Sequence, residues 1–511
     1  MNLIKLRIAV SVVFFIGCVL LFTGPESTTV SLSAILPPLQ FLPALIRTLL
    51  HPHVFFLAGL ILLVGLTLIF GRVYCSFLCP LGTLQDSISA LARKCGLKSE
   101  YAFTQPRNVL RYTVLAITVA SISIGVLSLV NLLDPFTLTG RLISNIVLPQ
   151  LVGIYNLSIT LLKPFDIYLY PKQSAFVPLS VLAATSGFLG LITYLAVKHG
   201  RLYCNTICPV GTFLGLVARF SFFKFIRVQK GCSECVRCEK VCKASCIDPK
   251  RAAIDMSRCV GCFNCLNACS KTAIVYQKAF GAVAPDAWSP ARRGFVLGSA
   301  TAAGGLLLWF NPALRALLGT TQAKADPPVT PPGSISVFRF TQACTACCLC
   351  VDACPTSVLT PAFMDYGPAG LLQPKMNYAK SFCKYECNVC SKVCPTGAIV
   401  PISLPEKKLT QIAEARLSKK VCVVFVNHTN CGACGEVCPT HAIRFINKNN
   451  ILYPEIDKHY CIGCGACQLA CPTKPNSIII RAHPVHQKAE KYRRPDAPAE
   501  AVKPADKDFP F

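Results

Sequence analysis

The chain has 511 residues, of which 53% are hydrophobic, and its mean hydropathy of +0.50 excludes an ordinary soluble protein. It carries 51 Lys and Arg against 24 Asp and Glu, a formal net charge of +27, together with 32 cysteines. Cubane iron–sulfur clusters held by four thiolates carry about −2 each and would offset much of this positive charge, so nucleic acid is not expected as a partner.

Apolar runs in the first half of the chain predict four membrane helices, at residues 8–23, 54–70, 109–133 and 176–197. Prolines or asparagines interrupt two further runs, 32–50 and 142–162, which we expect to lie at the membrane surface or to fold back into it. Each half then reads as helix, interrupted segment and helix, which predicts two parallel repeats. The 71–108 loop is richer in Lys and Arg than the 26–53 loop, which predicts that it is cytoplasmic.

A sixteen-residue pattern follows the last helix of each repeat. Residues 71–86 read GRVYCSFLCPLGTLQD, and residues 200–215, which lie 129 positions later, read GRLYCNTICPVGTFLG. Two cysteines four residues apart at a helix end share one face, and the following proline helps to end the helix. If the two ends face each other, they bring together Cys75, Cys79, Cys204 and Cys208. A metal centre, a thiol–disulfide pair and simple close packing of helix ends remain open for this site.

Two half-motifs of the form C-x2-C-x2-C-x3-C follow the second copy. Their members are Cys232, Cys235, Cys238 and Cys242, then Cys259, Cys262, Cys265 and Cys269. In bacterial two-cluster ferredoxins, three close cysteines bind one cubane and the fourth binds the other, whereas zinc prefers two ligand pairs. The proline that usually follows the fourth cysteine is missing in both half-motifs, and an extra Cys246 is an alternative to Cys242.

Four further half-motifs lie in the last third of the chain. Their members are Cys344, Cys347, Cys350 and Cys354; Cys383, Cys387, Cys390 and Cys394; Cys422, Cys431, Cys434 and Cys438; and Cys461, Cys464, Cys467 and Cys471. Pairing the first with the second and the third with the fourth predicts two fused ferredoxin modules. Disulfides are the alternative for these cysteines. However, most neighbouring cysteines are separated by only two or three residues, so disulfides would be sterically poor bridges within one helical turn.

An export-type segment separates the two cysteine-rich regions. Arg292 and Arg293 precede an apolar run, which predicts a twin-arginine signal or a fifth membrane helix, and either would carry the chain outward. The sequence Ala323-Lys324-Ala325 resembles a small-x-small cleavage site, and cleavage there stays open.

The predicted fold class is therefore multi-domain: an α-helical membrane bundle of four helices in two parallel repeats plus a fifth helix, with α+β bacterial-ferredoxin-like cluster domains. The predicted parts, in chain order, are a membrane domain (1–230), a cytoplasmic two-cluster domain (231–285), the signal or fifth helix (286–320), a Pro-rich linker (321–336), a periplasmic four-cluster domain (337–488) and a disordered tail (489–511).

The membrane unit with its two C-x3-C-P copies and the cytoplasmic cluster pair, about residues 1–280, resembles the NapH family and the related NosR and CcoG polyferredoxins. Residues 289–488 are similar to NapG and MauM, so the chain resembles a NapH–NapG fusion. The resemblance implies a multi-pass protein of the bacterial inner membrane, and the Lys and Arg content of the loops predicts that its N-terminus is cytoplasmic. It also implies transfer of electrons from the membrane quinone pool, through six [4Fe-4S] clusters, to a periplasmic redox protein such as a cytochrome or terminal reductase.

Quinol oxidation releases protons, for which His51, His53 and Asp134 are candidate acceptors. Each is also explained as an ordinary residue at a helix end. An assembly or maturation factor for another metalloenzyme and a membrane redox sensor are the alternative functions. The terminal acceptor, the quinone type and the direction of electron flow are not set by the sequence.

Overall fold

The computed structural model describes residues 3–97, 100–166, 168–173, 175–228, 232, 234–248, 253–279 and 327–492. Two compact units emerge from its contacts. The first unit comprises Met1–Asn377 and Asn388–Ile402, and the second comprises Tyr378–Cys387 and Ser403–Phe511. The predicted signal or fifth helix, the Ala325 cleavage site and most of the predicted tail lie outside the described residues. The sequence-based domain boundaries remain a prediction.

Helices build the first unit up to residue 218. They are Leu3–Thr23, Glu26–Ile35, Pro37–Leu39, Phe41–Leu50, Val54–Phe70, Tyr74–Phe77, Pro80–Lys94, Asn108–Ile124, Ser128–Leu133, Pro135–Leu142, Ile143–Val147, Leu148–Leu162, Lys163–Phe165, Leu179–His199, Leu202–Thr206 and Pro209–Ala218. By length and composition, Leu3–Thr23, Pro135–Leu162 and Leu179–His199 are able to cross a membrane, and the bent pair Glu26–Leu39 and Phe41–Leu50 would make a fourth span.

The first interrupted segment has the geometry of a broken span or a re-entrant loop. Its two helices meet at an angle of 92° at Gln40, directly after the Pro37–Leu39 turn. Gly59 of the next helix lies against this turn, since an added Cβ would stand 2.1 Å from the Pro38 carbonyl oxygen. Only glycine permits this close approach, so the proline break and the glycine together fix the fold-back.

The second interrupted segment differs from the first. Residues 142–162 belong to one continuous 28-residue helix, Pro135–Leu162, although Asn145, Pro149 and Asn156 indicated a weaker span. The expectation that this segment lies at the membrane surface or folds back stays a prediction. A π turn at Ile143–Val147 precedes Pro149 and widens the backbone where the proline ring would collide with the preceding turn. The Asn145 amide donates to the Thr185 hydroxyl at 3.2 Å, which satisfies its polar group inside the bundle.

The third predicted helix is also shorter than expected. Residues 109–133 divide into Asn108–Ile124 and Ser128–Leu133, because Gly125 adopts the left-handed conformation with φ of 80° and ends the first piece. The helix count and the parallel repeats therefore remain predictions.

Two cysteine-bearing segments contact opposite ends of the helix Leu179–His199. We call residues 232–279 the first cluster segment, and residues 327–377 with 388–402 the second cluster segment. Near the start of the helix, Val181 packs against Ala346 and Leu372 of the second cluster segment. Just beyond its end, the Arg201 amide donates to the Lys243 carbonyl of the first cluster segment at 2.8 Å. A helix of 21 residues separates these contacts by about 30 Å.

Short helices and antiparallel strands form the first cluster segment. Phe223–Arg227, just before it, pairs with Ile274–Lys278, and Ile247–Asp248 pairs with Ala253–Ile254. The helices are Arg237–Lys240 and Asn264–Ala268. Phe225, Phe263 and Tyr276 pack with ring centroids 4.7–5.5 Å apart and cover one side of the strands.

The remaining elements follow the same α+β pattern. In the second cluster segment they are Val337–Ala343, Leu349–Asp352, Leu359–Pro361, Pro368–Gly370, Pro374–Met376 and Val389–Val393. In the second unit they are Leu404–Leu409, Thr410–Leu417, Val423–Val426, Ala433–Glu436, Ile443–Lys448, Ile451–Ile456, Ala466–Ala470 and Ile478–Lys488. Asn449 and Asn450 form the two-residue turn of a hairpin, and both have the positive φ that such a turn requires.

Candidate cluster sites and a central four-cysteine site

Three cavities are each lined by four cysteines in the cross-over pattern of two-cluster ferredoxins. In the first unit, Cys232, Cys235 and Cys238 face Cys269. In the second unit, one cavity is lined by Cys422, Cys431, Cys434 and Cys471, and another by Cys461, Cys464, Cys467 and Cys438. In each cavity the first three cysteines of one half-motif meet the fourth cysteine of its neighbour, as the spacing predicts.

Two further sets of cysteines approach one another in the same way. Burial raises the pKa of Cys262 to about 11, and the nearby Cys242 and Cys259 thiols add to the rise. Burial likewise raises the pKa of Cys347 to about 12, with Cys394 adding to it. Cys394 also contributes to the raised pKa values of Cys344 and Cys350, after burial as the main cause. The fourth cysteine of the neighbouring half-motif thus lies beside each triplet.

The half-motif that begins at Cys383 is shared between the two units. Cys383 and Cys387 belong to the second unit, while Cys390 and Cys394 belong to the first. Within the second unit, the Cys383 amide donates to the Cys464 carbonyl at 2.9 Å. The ligand set formed by Cys383, Cys387 and Cys390 with Cys354 stays the sequence prediction.

Backbone amides already point at several of these sulfurs. The Ala273 amide donates to Cys269 Sγ at 3.2 Å, and the Ile399 amide donates to Cys394 Sγ at 3.4 Å. Such bonds favour a negatively charged sulfur and tune the potential of a bound cluster. Among the described residues, no three His, Cys, Asp or Glu side chains converge on a position for a single metal ion. Thiolates that bind a cubane stand at its corners and need not converge in this way.

The local sequence and the hydrogen bonds favour Cys242 over Cys246 as a ligand. Cys246 follows Cys242 by four residues, the position at which Ala273, Ala398 and Ala442 follow the fourth cysteine of other half-motifs. The Sγ atoms of Cys242 and Cys246 are 3.6 Å apart. The Cys246 side chain, with several backbone amides, lowers the pKa of Cys242 to about 7, and the pKa of Cys246 rises. The matching alanines and the amides around Cys242 Sγ therefore favour Cys242 as the ligand, with Cys246 beside it.

We expect Cys242→Ala to remove about four iron atoms per chain, whereas Cys246→Ala should keep them. Alanine fits at position 246 because it occupies the matching position of other half-motifs. Iron and sulfide analysis of anaerobically purified variants checks this. Loss of iron in Cys246→Ala with retention in Cys242→Ala would reverse the assignment.

Both copies of the sixteen-residue pattern fold alike. Each preceding helix ends at a glycine with positive φ, 80° at Gly71 and 64° at Gly200. A short helix follows, and then the second cysteine caps the next helix. Cys79 Sγ accepts from the Gly82 amide at 3.4 Å, and Cys208 Sγ accepts from the Gly211 amide at 3.3 Å. Both second cysteines therefore stand at a helix N-terminus, which favours a thiolate.

Glycine is needed at the third position of each capped helix. A Cβ on Gly82 would lie 2.4 Å from the Cys75 carbonyl oxygen, and one on Gly211 would lie 2.2 Å from that of Cys204. The short helix therefore folds tightly onto the next one. This explains why both copies carry the motif C-P-x-G.

The two copies bring their four cysteines into one buried place, as the sequence predicts. Cys75, Cys79, Cys204 and Cys208 are each 4% exposed. Burial raises the pKa values of Cys79 and Cys208, and the neighbouring Cys204 thiol adds to the rise in both. We call these residues the central four-cysteine site.

Arginines cross between the copies at this site. Arg201 Nη1 donates to the Cys75 carbonyl at 2.7 Å, and Arg72 Nη2 donates to the Cys204 carbonyl at 3.0 Å. Within the described residues, three buried donor atoms here have no acceptor: Arg72 Nε, Arg201 Nη2 and Gln85 Nε2. Leaving a buried donor unsatisfied costs about 1–3 kcal/mol. These three donors and the four cysteines therefore fit an anionic group bound by the thiolates.

On one side, the central four-cysteine site packs directly on the first cluster segment. The Ser76 hydroxyl donates to the Val260 carbonyl at 2.6 Å, and the Asn205 amide donates to the Ala244 carbonyl at 3.0 Å. Val260 lies between Cys259 and Cys262, and Ala244 lies between Cys242 and Cys246.

On the other side, hydrogen bonds lead toward the second cluster segment. The Tyr203 hydroxyl donates to the Leu133 carbonyl at 2.9 Å, just before the helix Pro135–Leu162 begins. On that helix, a Cβ at Gly140 would lie 2.6 Å from the Cys347 carbonyl, and the Ser144 hydroxyl donates to Asp352. The helix therefore joins the central site to the loop that carries Cys347.

The candidate proton acceptors lie in different surroundings. Asp134 is buried and accepts from the Thr137 amide at 2.8 Å as the N-cap of the helix Pro135–Leu162. His51 is exposed, and its Nε2 lies 2.5 Å from Arg339 Nη2. Burial, with Arg339 and Arg47 nearby, lowers the pKa of His51. His53 is exposed and precedes the helix Val54–Phe70.

Sequence reasoning missed Asp86. Its carboxylate accepts from Arg201 Nε at 2.9 Å and from Arg7 Nη1 and Lys243 Nζ at 3.1 Å each. Burial alone would raise the pKa of Asp86, but Arg201 and Lys243 hold it well below its usual range. The sequence did contain one signal for Asp86, because acidic residues are scarce in this region. Asp86 and Glu26 are the only acidic residues before Glu100.

We expect Asp86→Asn to lower the free energy of unfolding by about 3–5 kcal/mol, since it leaves buried cations unpaired. Glu100→Gln is the matched control, because its ion pair with Lys240 is about half exposed and worth about 0–1 kcal/mol.

The depressed folded-state pKa of Asp86 stabilises the fold above the ordinary carboxyl pKa of about 4, and this stabilisation is lost as the pH falls below it. Thermal unfolding between pH 3 and 7 checks both statements. Equal effects of the two substitutions at pH 7 would contradict them.

Comparison with known families supports iron–sulfur chemistry. A family model described as a 4Fe-4S binding domain matches residues 52–98 and again 181–227, the segments that contain the two sixteen-residue copies. A model described as a 4Fe-4S dicluster domain matches residues 429–474. The predicted iron–sulfur and ferredoxin-type features are thereby confirmed, together with membrane-type helices.

Several relatives are ferredoxin-type or electron transport proteins. The putative electron transport protein YccM of Escherichia coli is 25% identical over 42% of this chain and 53% of its own length. The methylamine utilization ferredoxin-type protein MauM of Methylophilus methylotrophus is 33% identical over 23% and 48%, respectively. The ferredoxin-type protein NapH of Escherichia coli is 25% identical over 39% and 60%. The matches thus cover roughly half of these relatives, and no solved structure shows significant similarity.

Proposed function

We propose that this chain is an inner-membrane protein that passes electrons from membrane quinol, through iron–sulfur clusters, to a periplasmic redox partner. Six [4Fe-4S] clusters would use the cysteines of the six half-motifs. The central four-cysteine site would hold one further cluster, to which Cys75, Cys79, Cys204 and Cys208 contribute one thiolate each. A bound cluster supplies one-electron redox chemistry, and the chain positions its ligands and supplies the surrounding charge.

The observation that carries this proposal is the position of the central site. It packs on the cluster loops of the first cluster segment through Ser76 and Asn205. It is joined to the Cys347 loop by Tyr203 and the helix that starts at Pro135. A redox centre here would connect cluster-bearing segments that contact opposite ends of the helix Leu179–His199.

Three lines support the membrane arrangement. Three of the described helices, or four if the bent pair is one span, are apolar and long enough to span a bilayer. The two cluster segments lie about 30 Å apart along one of them, which is close to the thickness of a bilayer core. Lys and Arg are enriched in the 71–108 loop, which favours a cytoplasmic first cluster segment and a periplasmic second one.

The quinol substrate and the periplasmic acceptor rest on the resemblance to a NapH–NapG fusion. NapH-like and MauM-like segments are both represented among the relatives, which supports that reading. The acceptor would be a cytochrome or a terminal reductase with a cofactor near its surface.

The test is sustained oxidation of a quinol analogue by the purified protein, coupled to reduction of an added acceptor. We expect many turnovers per chain, in proportion to enzyme. One turnover or fewer, from a protein with all its iron, would reject the electron-transfer function and favour an assembly or sensing role.

A further inference from the structure

Arg72 and Arg201 occupy matching positions in the two copies, but they differ in their partners. Arg201 forms a buried ion pair with Asp86 at 2.9 Å. Arg72 is 1% exposed and donates to Asn205 Oδ1 at 2.9 Å and to the Ser257 carbonyl at 3.1 Å. No ion pair joins Arg72 to a carboxylate in the described part of the chain. The asymmetry arises because the first copy ends in Asp86, while the second copy ends in Gly215 at the matching position.

The charged group that faces Arg72 is the central site itself. Arg72 Nη2 lies 3.7 Å from Cys75 Sγ and bonds the Cys204 carbonyl, so it touches one cysteine from each copy. A buried guanidinium without a counter-ion is costly, and Arg72 Nε still has no acceptor. The cost disappears when the thiolates around it carry net negative charge.

Resting on the proposed function, we infer that Arg72 is the positioning residue that sets the reduction potential of the central cluster. When one electron arrives from the neighbouring cluster, the centre becomes more negative by one charge, and no bond forms or breaks. The Arg72 guanidinium stabilises this added charge and raises the potential. Arg201 differs from Arg72 because it pairs with a carboxylate, that of Asp86, which it shares with Arg7 and Lys243.

The charge of Arg72 also favours electron transfer toward the central site. A raised potential at the central site favours electron transfer into it from the first cluster segment.

The experiment is an EPR-monitored redox titration of the full-length protein, with Arg72→Gln, Arg72→Lys and Arg219→Gln. We expect Arg72→Gln to lower the midpoint potential of the central cluster and to leave the other clusters unchanged. Arg72→Lys keeps the charge and should stay close to wild type. Arg219, which bonds the Tyr112 hydroxyl at 2.7 Å, is the matched control for loss of one arginine and should cause no shift.

An unchanged midpoint in an iron-replete Arg72→Gln protein would overturn the inference, as would equal shifts in Arg72→Gln and Arg72→Lys. If Arg72→Gln loses the central cluster, retention by Arg72→Lys supports the role of charge, and loss in both variants rejects it. Absence of any central signal in the wild-type protein would instead reject the proposed cluster, which separates the two failures.

Discussion

Replacing Cys75 or Cys204 with serine is expected to reduce electron flow from a quinol analogue to an added acceptor by about 100-fold or more. Losing an outer partner of a metal ligand already costs about 10–100-fold, and these residues are the proposed ligands themselves. Each variant removes a thiolate from a different copy of the pattern. Similar losses in both variants are therefore expected if both copies serve one centre. Steady-state turnover of the purified variants measures this.

Cys95→Ser is the matched control, because Cys95 is exposed and belongs to none of the proposed sites. It should turn over at the wild-type rate. Wild-type turnover in Cys75→Ser and Cys204→Ser would remove the central site from the electron path and leave close helix packing as the role of these cysteines.

Cys471→Ser is expected to remove the cluster that belongs to Cys422, and not the one that belongs to the adjacent Cys461. The reason is the cavity in which Cys471 faces Cys422, Cys431 and Cys434. Each single substitution should cost about four iron atoms per chain. The double variant Cys471→Ser with Cys422→Ser should also cost about four, whereas Cys471→Ser with Cys461→Ser should cost about eight. Iron analysis of anaerobic preparations distinguishes these values.

If the combination with Cys422→Ser costs about eight and the one with Cys461→Ser about four, each half-motif binds its own cluster. That result would contradict the cross-over arrangement in the second unit.

The cluster cysteines were predictable because their spacing is a local property of the chain. In most half-motifs the three close cysteines need only one turn and one short helix, such as Asn264–Ala268 after Cys262. The cross-over of Cys269 to the Cys232 cavity follows from the same pattern. The meeting of the two sixteen-residue copies was also predictable, since repeated segments tend to pack symmetrically.

Other features depend on contacts that sequence patterns do not encode. Pro149 and Asn145 indicated a weakened span, but a π turn and a partner at Thr185 allow one long helix. Arg72 and Arg201 each donate to a cysteine carbonyl of the other copy, and this depends on how the two copies face each other. Asp86 gains its importance from Arg7 and Lys243, which are 79 and 157 residues away in the chain. Only the tertiary structure brings these charges together.

The most direct measurement is the iron content of anaerobically purified wild-type, Cys75→Ser, Cys204→Ser and doubly substituted protein. A cluster shared by both copies predicts about 28 iron atoms per chain for the wild type, and a loss of about four in each single variant and in the double variant alike. Unchanged iron in all three variants, or a loss of about eight in the double variant, would contradict a single cluster at the junction of the two copies.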